Sequence, residues 1–187
     1  MTIPFQEKPM LDETDETVIR RVMRDARPGA SAQSARPRRA SEKLAWTLPG
    51  FCANARVQTS FGHVPIEALR PHDPVRTKAG DYLAVAWVDR IQLDAEFLML
   101  HPAAYPVRLP AGCIDRGVPC RDILLSTAQV LHLPHRTGAN ARCTAATLVG
   151  RRRIRREAVP SLTYFMFHCG RPATVWVDGL WVDTAPD

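Results

Sequence analysis

Ala55-Arg-Val-Gln-Thr-Ser-Phe-Gly-His-Val-Pro-Ile-Glu-Ala-Leu-Arg-Pro-His-Asp-Pro-Val-Arg-Thr77 is the stretch whose reading decides the fold. A short strand-like piece runs to a turn at Phe61-Gly62. An amphipathic piece follows, apolar at Val64, Ile66 and Leu69, and ends at Pro71-His72-Asp73. Asp73 suits a turn cap, because its carboxylate can accept from nearby backbone N–H groups. A third strand covers Val75 to Thr77. Short extended pieces divided by turn residues are the signature of an all-β domain.

The rest of the chain extends that pattern. Sixteen prolines and ten glycines require many turns and leave little room for long helices. Residues 82–92 read as a pair of strands, and Ile123 to Leu125 as a buried strand with a continuous apolar run. Thr174-Val-Trp-Val-Asp-Gly-Leu-Trp-Val182 is the clearest hairpin. Its Asp178-Gly179 suits a type I′ turn, in which both central residues need positive φ. Trp176 and Trp181 then fall on facing strands, where a cross-strand aromatic pair or core contacts are expected, with a binding platform as the alternative.

Upstream, residues 12–27 read as a separate helix: Val18, Ile19, Val22 and Met23 share one face, acids lead, and arginines close it before Pro28-Gly29. Residues 28–43 have little to bury and read as a flexible linker. This divides the chain into an N-terminal extension, 1–43, and a domain, 44–187. A net charge of +6, carried largely by arginine, favours acidic surfaces as partners without specifying one. Five cysteines, Cys52, Cys113, Cys120, Cys143 and Cys169, form no disulfide framework. The first residues have no apolar signal core, so a reduced, cytoplasmic protein is the default, with signal-less export left open. No apolar run is long enough to span a bilayer, and no membrane partner is expected.

Four stretches taken in order carry a resemblance. They are the opening above; Val107-Arg-Leu-Pro-Ala-Gly-Cys-Ile-Asp-Arg-Gly-Val-Pro-Cys-Arg-Asp-Ile-Leu-Leu-Ser126; Leu148-Val-Gly-Arg-Arg-Arg-Ile-Arg-Arg156 with Leu162-Thr-Tyr-Phe165; and Val177-Asp-Gly-Leu-Trp-Val182. Over roughly residues 50–184 the chain resembles the bacterial Hint family, related to hedgehog C-terminal domains and inteins. The resemblance implies an all-β, curled assembly of short strands. It also implies intramolecular autoproteolysis: a first-residue cysteine attacks the carbonyl before it, and a block histidine distorts and protonates the scissile amide nitrogen.

Carried over residue by residue, the resemblance implies an altered site. Its opening motif falls on Gly50-Phe-Cys-Ala-Asn-Ala-Arg-Val-Gln-Thr59, placing Gly50 where the cysteine belongs. Glycine has no nucleophile. Cys52, two residues on, is read as a strand or turn cysteine of ordinary pKa, the alternative being that it takes over an N–S acyl shift. The block motif falls on Leu125-Ser-Thr-Ala-Gln129, so Gln129 replaces the histidine, beside Ser126 and Thr127. Glutamine can hydrogen-bond an amide but cannot deliver a proton near neutral pH. His132, three positions later, should face the other side of the strand. A further family histidine maps to Pro172, with His168 nearby. No His-Asn pair closes the sequence, so asparagine cyclisation is not expected.

The remaining clusters have ordinary readings. Cys113 and Cys120 with His132 and His135 depart from zinc-ligand spacing, so no metal is expected, nor any other cofactor. His63, His72 and His101 sit beside turn residues in no catalytic arrangement. The run Arg151-Arg-Arg-Ile-Arg-Arg156 could contact an acidic partner. It lacks interleaved aromatics, so nucleic acid is not the expected ligand and a solvated, aggregation-blocking edge is the ordinary role. The expectation is a catalytically silent Hint-like module rather than an enzyme, with a self-cleaving domain using Cys52 and a basic binding module as alternatives.

Overall fold

The computed structural model describes residues 46–133 and 142–185. The expected helix over 12–27, the linker over 28–43 and His135 lie outside the described residues, which all belong to the compact unit Glu42–Asp187. Strand β1 (Arg56–Thr59) and β2 (Gly62–Pro65) pair around the Phe61-Gly62 turn, and a 3-10 turn, Ile66–Ala68, carries Ile66 into the core. Strand β3 (Pro74–Arg76) follows the Pro71-His72-Asp73 corner, where Asp73 accepts from the Arg70 N–H at 2.9 Å. The capping role read from sequence is the one Asp73 has.

Residues 82–92 supply two strands, β4 (Tyr82–Ala84) and β5 (Trp87–Leu93), which pair with different neighbours. Val85 parts them: it exchanges backbone bonds with the corner at His72 and Asp73, while the Ala86 N–H turns to His168 O. A single α-helix turn and a half, α1 (Ala95–Leu100), is capped by Asp94, whose carboxylate accepts from the Phe97 N–H at 2.8 Å. Then come β6 (Val107–Leu109), β7 (Ile123–Leu125), β8 (Val130–His132), β9 (Arg142–Thr144), β10 (Arg155–Arg156) and β11 (Leu162–His168). The final hairpin is β12 (Thr174–Val177) and β13 (Leu180–Asp183).

These strands form three antiparallel sheets. The largest runs β4-β3-β1-β12-β13-β8-β9, with β2 also on β1; the others are β10-β6-β7 and β11-β5. Phe51 ties the two smaller sheets together by bridging Leu125 and Phe165. The hairpin turn has φ of 47° at Asp178 and 90° at Gly179, as type I′ requires. A side chain at Gly179 would also meet Cys120 N at 3.2 Å, so glycine is needed there for space too.

Strict alternation in β12 and β13 sends Val175, Val177, Leu180 and Val182 inward and Trp176 and Trp181 outward. The inward set joins Val57, Val75, Leu109, Leu125 and Phe167 in the main core. A second cluster gathers Cys52, Leu93, Leu98, Tyr164 and Met166. Leu124 packs on this second cluster, so the Ile123–Leu125 strand serves both cores from its two faces. Each fully buried aliphatic side chain contributes about 1.5–3 kcal/mol. The basic run forms a turn at 151–153 leading into edge strand β10, with its arginines exposed.

Candidate functional site

Gly50 and Gln129, 79 positions apart in sequence, meet in the interior. The Gly50 N–H donates to Gln129 Oε1 at 3.0 Å. Gln129 Nε2 donates onward to Asp183 O at 2.8 Å and to Val130 O at 3.2 Å. One donor on one side and two carbonyls on the other dictate the amide's orientation. Gln129 is 1% exposed, and its own backbone is pinned by Ser126 O and the Ala145 N–H. It works as a clasp between the incoming chain and the last strand.

Ser126 grips the same incoming segment. Its N–H donates to Gly50 O at 2.9 Å, and its hydroxyl donates to Leu48 O. The hydroxyl oxygen also accepts from Trp46 Nε1 at 3.0 Å and from the Ala128 N–H at 3.2 Å. With one proton and two lone pairs all engaged, Ser126 has nothing left to activate. Thr127 is likewise committed, donating to Ala103 O at 2.9 Å. The Trp46 ring lies against Phe97 and Tyr164, centroids 6.1 and 6.0 Å away.

A side chain at Gly50 would be crowded. Gly50 has φ of 153°, and a Cβ built there would come within 3.2 Å of Phe165 O and of the Tyr164 Cβ, and 3.4 Å of Met166 Cγ. The backbone has settled into a conformation suited to glycine.

Cys52 sits elsewhere, 8% exposed among the second cluster's apolar side chains. Burial pushes its thiol up to about 12. This corrects the expectation of an ordinary pKa: the sulfur lies among apolar side chains, where a thiolate would be poorly solvated. The bond it would attack is also fully engaged. Phe51 O accepts from the Phe165 N–H at 2.8 Å, and the Cys52 N–H donates to Leu124 O at 3.0 Å. A carbonyl oxygen facing the amide nitrogen cannot supply its proton.

His132 lies on the opposite face from Gln129, as the strand period requires. Its Nε2 is 2.6 Å from Asp183 Oδ1, and Arg142 holds the other carboxylate oxygen. Burial opposes ionisation of Asp183, but hydrogen bonds from His132, Thr174 and Arg142 outweigh it and hold the carboxyl below its usual range. Thr174 Oγ1 and Asp183 meet the same ring nitrogen of His132, so the imidazole cannot relay a proton between them. His168 is fully buried at the end of β11; its Nδ1 accepts from the Gly170 N–H at 3.0 Å and its ring stacks on Trp87. Pro172 lies in the turn beyond it. Among the described residues, no three His, Cys, Asp or Glu side chains converge as metal ligands.

Two members of the site were not legible in sequence. Trp46 gave only an apolar run before Pro49, and Asp183 reaches Gln129 through a backbone carbonyl, which no side-chain motif reports.

Against this geometry, residues 49–187 match the Hint domain family, and the chain belongs to that family. Solved structures of low identity are similar to it. The gp41-1 intein is 11% identical, covering 72% of this chain and 97% of its own, with a TM-score of 0.41. The MchDnaB-1 intein is 9% identical over 71% and 98%, TM-score 0.45. A splice-inactive variant of the AceL NrdHF class 3 split intein is 14% identical over 74% and 98%, TM-score 0.45. No curated protein matches the chain.

Proposed function

We propose that this Hint domain is a non-cleaving module that holds the chain entering it instead of releasing it. The observation that carries this reading is the Gly50 N–H bound to Gln129 Oε1. The amide nitrogen that a block histidine would protonate meets a group with no proton to give. The carbonyl before it has no side-chain nucleophile beside it, because Gly50 has no side chain. Ser126 adds the second hold, on Leu48 O.

The competing reading, an N–S acyl shift at Cys52, has its geometry against it. Burial holds the Cys52 thiol in the neutral form near pH 8, leaving little thiolate to attack. Intact mass separates the two. The purified full-length chain, incubated at about pH 8 with and without dithiothreitol, is expected to keep one mass. Fragments from a break between Phe51 and Cys52, absent in Cys52→Ala, would transfer the role to that cysteine. A reading as a basic module rests on the exposed arginines of the 151–156 run, and its signature is a salt-sensitive acidic partner lost when they are neutralised.

A further inference from the structure

The outer face of the largest sheet carries a line of side chains that neither the Gly50 site nor the core uses. Cross-strand pairing sets it out. Tyr82 faces Arg76, Trp176 faces Trp181, Trp181 faces His132, and His132 faces Arg142. The antiparallel bridge of Thr77 with Val175 sets Arg76 beside Trp176, while Gln58 on β1 faces His63 of β2. One row therefore crosses six strands, about 24 Å at the usual strand spacing, and contains no acidic residue. Tyr82 is 48% exposed, Arg76 is exposed, and both tryptophans are part-exposed and in edge contact, with centroids 4.7 Å apart.

The charges beside the row favour an anion. Asp183 is already paired with Arg142, and Asp81 lies 3.7 Å from Arg171. Arg76 makes no ion pair among the described residues, and the Arg142 side chain is 66% exposed despite its bond to Asp183. Arg76, with no ion pair among the described residues, thus stands on one side of the tryptophan pair, and the exposed Arg142, shared with Asp183, lies beyond His132 on the other. An acidic peptide would satisfy the cations but leave the aromatic faces without partners. A chain of bases joined by phosphates satisfies both, since aromatic platforms interleaved with basic groups are the general means of holding a single strand.

We propose that this row is a binding stripe for single-stranded nucleic acid, with bases against Trp176, Trp181 and Tyr82 and phosphates at Arg76 and Arg142. The arginine run at 151–156 gave no such expectation because no aromatics accompany it; here strands distant in sequence bring the two residue types together.

The test is fluorescence anisotropy of the full-length chain with labelled mixed-sequence 12-mers of DNA and of RNA at about 50 mM salt. A duplex of the same sequence and poly-glutamate serve as competitors. Binding of either single strand with quenching of tryptophan emission is expected, and comparing the two polymers assigns the partner. Trp181→Ala or Trp176→Ala should each weaken binding about 5- to 100-fold. Arg76→Gln should flatten the dependence of log affinity on log salt by about 0.7. Tyr82→Ala, at an exposed position, tests stacking without relying on the folding of the tryptophan variants. No binding of either strand would overturn the proposal. So would equal competition by duplex or poly-glutamate, or binding unmoved by these four variants and lost in the triple Arg151→Gln, Arg152→Gln, Arg153→Gln variant.

Discussion

At the scale of single residues, Gln129 is the buried hub that joins Gly50 to the last strand. Gln129→Ala would strand a buried donor at Gly50 and a buried acceptor at Asp183, each costing about 1–3 kcal/mol. Urea denaturation should therefore show the variant at least about 2 kcal/mol less stable. Gln129→Glu should be no better, since a carboxylate would face the Asp183 and Val130 carbonyls. Restoring the nucleophile is equally constrained. Gly50→Cys places a Cβ 3.2 Å from Phe165 O at a φ that side chains rarely adopt, so it should cost roughly 1–3 kcal/mol and, with Gln129 still in place, leave the chain's mass unchanged. Gly50 and Gln129 could be singled out in sequence because both fall inside stretches that carry the family resemblance. Their contact could not be, because nothing local links residues 79 positions apart. The depth of Cys52 was missed for a related reason: its cover comes from residues distant in sequence, Leu93, Leu98, Tyr164 and Met166.

Among the elements, four strands are joined outside the core by a single carboxylate. Asp183 on β13 reaches His132 on β8, Arg142 on β9 and Thr174 on β12. Its carboxyl is held below the usual range in the folded chain, so the unfolded chain binds more protons once the pH drops into the window between the two values. The stability it adds is complete above the unfolded value near 4 and is lost as pH falls through the lower folded value. Thermal midpoints from pH 6 down to 3 should thus fall more steeply for the parent chain than for Asp183→Asn; parallel curves would remove Asp183 from this role. Elements of this kind divide by how far their signals reach. The β12–β13 hairpin was legible because Asp178-Gly179 is a local turn instruction and the alternation around it is strict. The parting of β4 from β5 was not, because Val85 is drawn away by the His72 and Asp73 backbone, a contact made only in the assembled fold.

Across the whole described unit, the segment that enters at Trp46 is the piece on which the three sheets converge. Gly50 bonds through Gln129 to the last strand of the large sheet, Phe51 bridges β7 and β11, and Cys52 bonds to Leu124. A module built to hold its incoming chain should lose global stability, not merely local order, when this join is cut. Phe51 is 2% exposed and stacks on Phe167 with centroids 6.4 Å apart, so Phe51→Ala should cost about 3–5 kcal/mol. The thiols report on the same join. All five are free, Cys120 is exposed, Cys143 is intermediate, and Cys52, Cys113 and Cys169 are buried. With a chromogenic disulfide reagent under native conditions, Cys120 should react first and Cys143 more slowly. Cys52 should react only at the rate of global opening, because its shield is the packed join itself. In Phe51→Ala, Cys52 should become reactive in step with the lowered urea midpoint. Were Cys52 instead to react as fast as Cys120 in the intact protein, the incoming segment would open independently of the sheets, and a module that grips its own upstream chain would lose its physical basis.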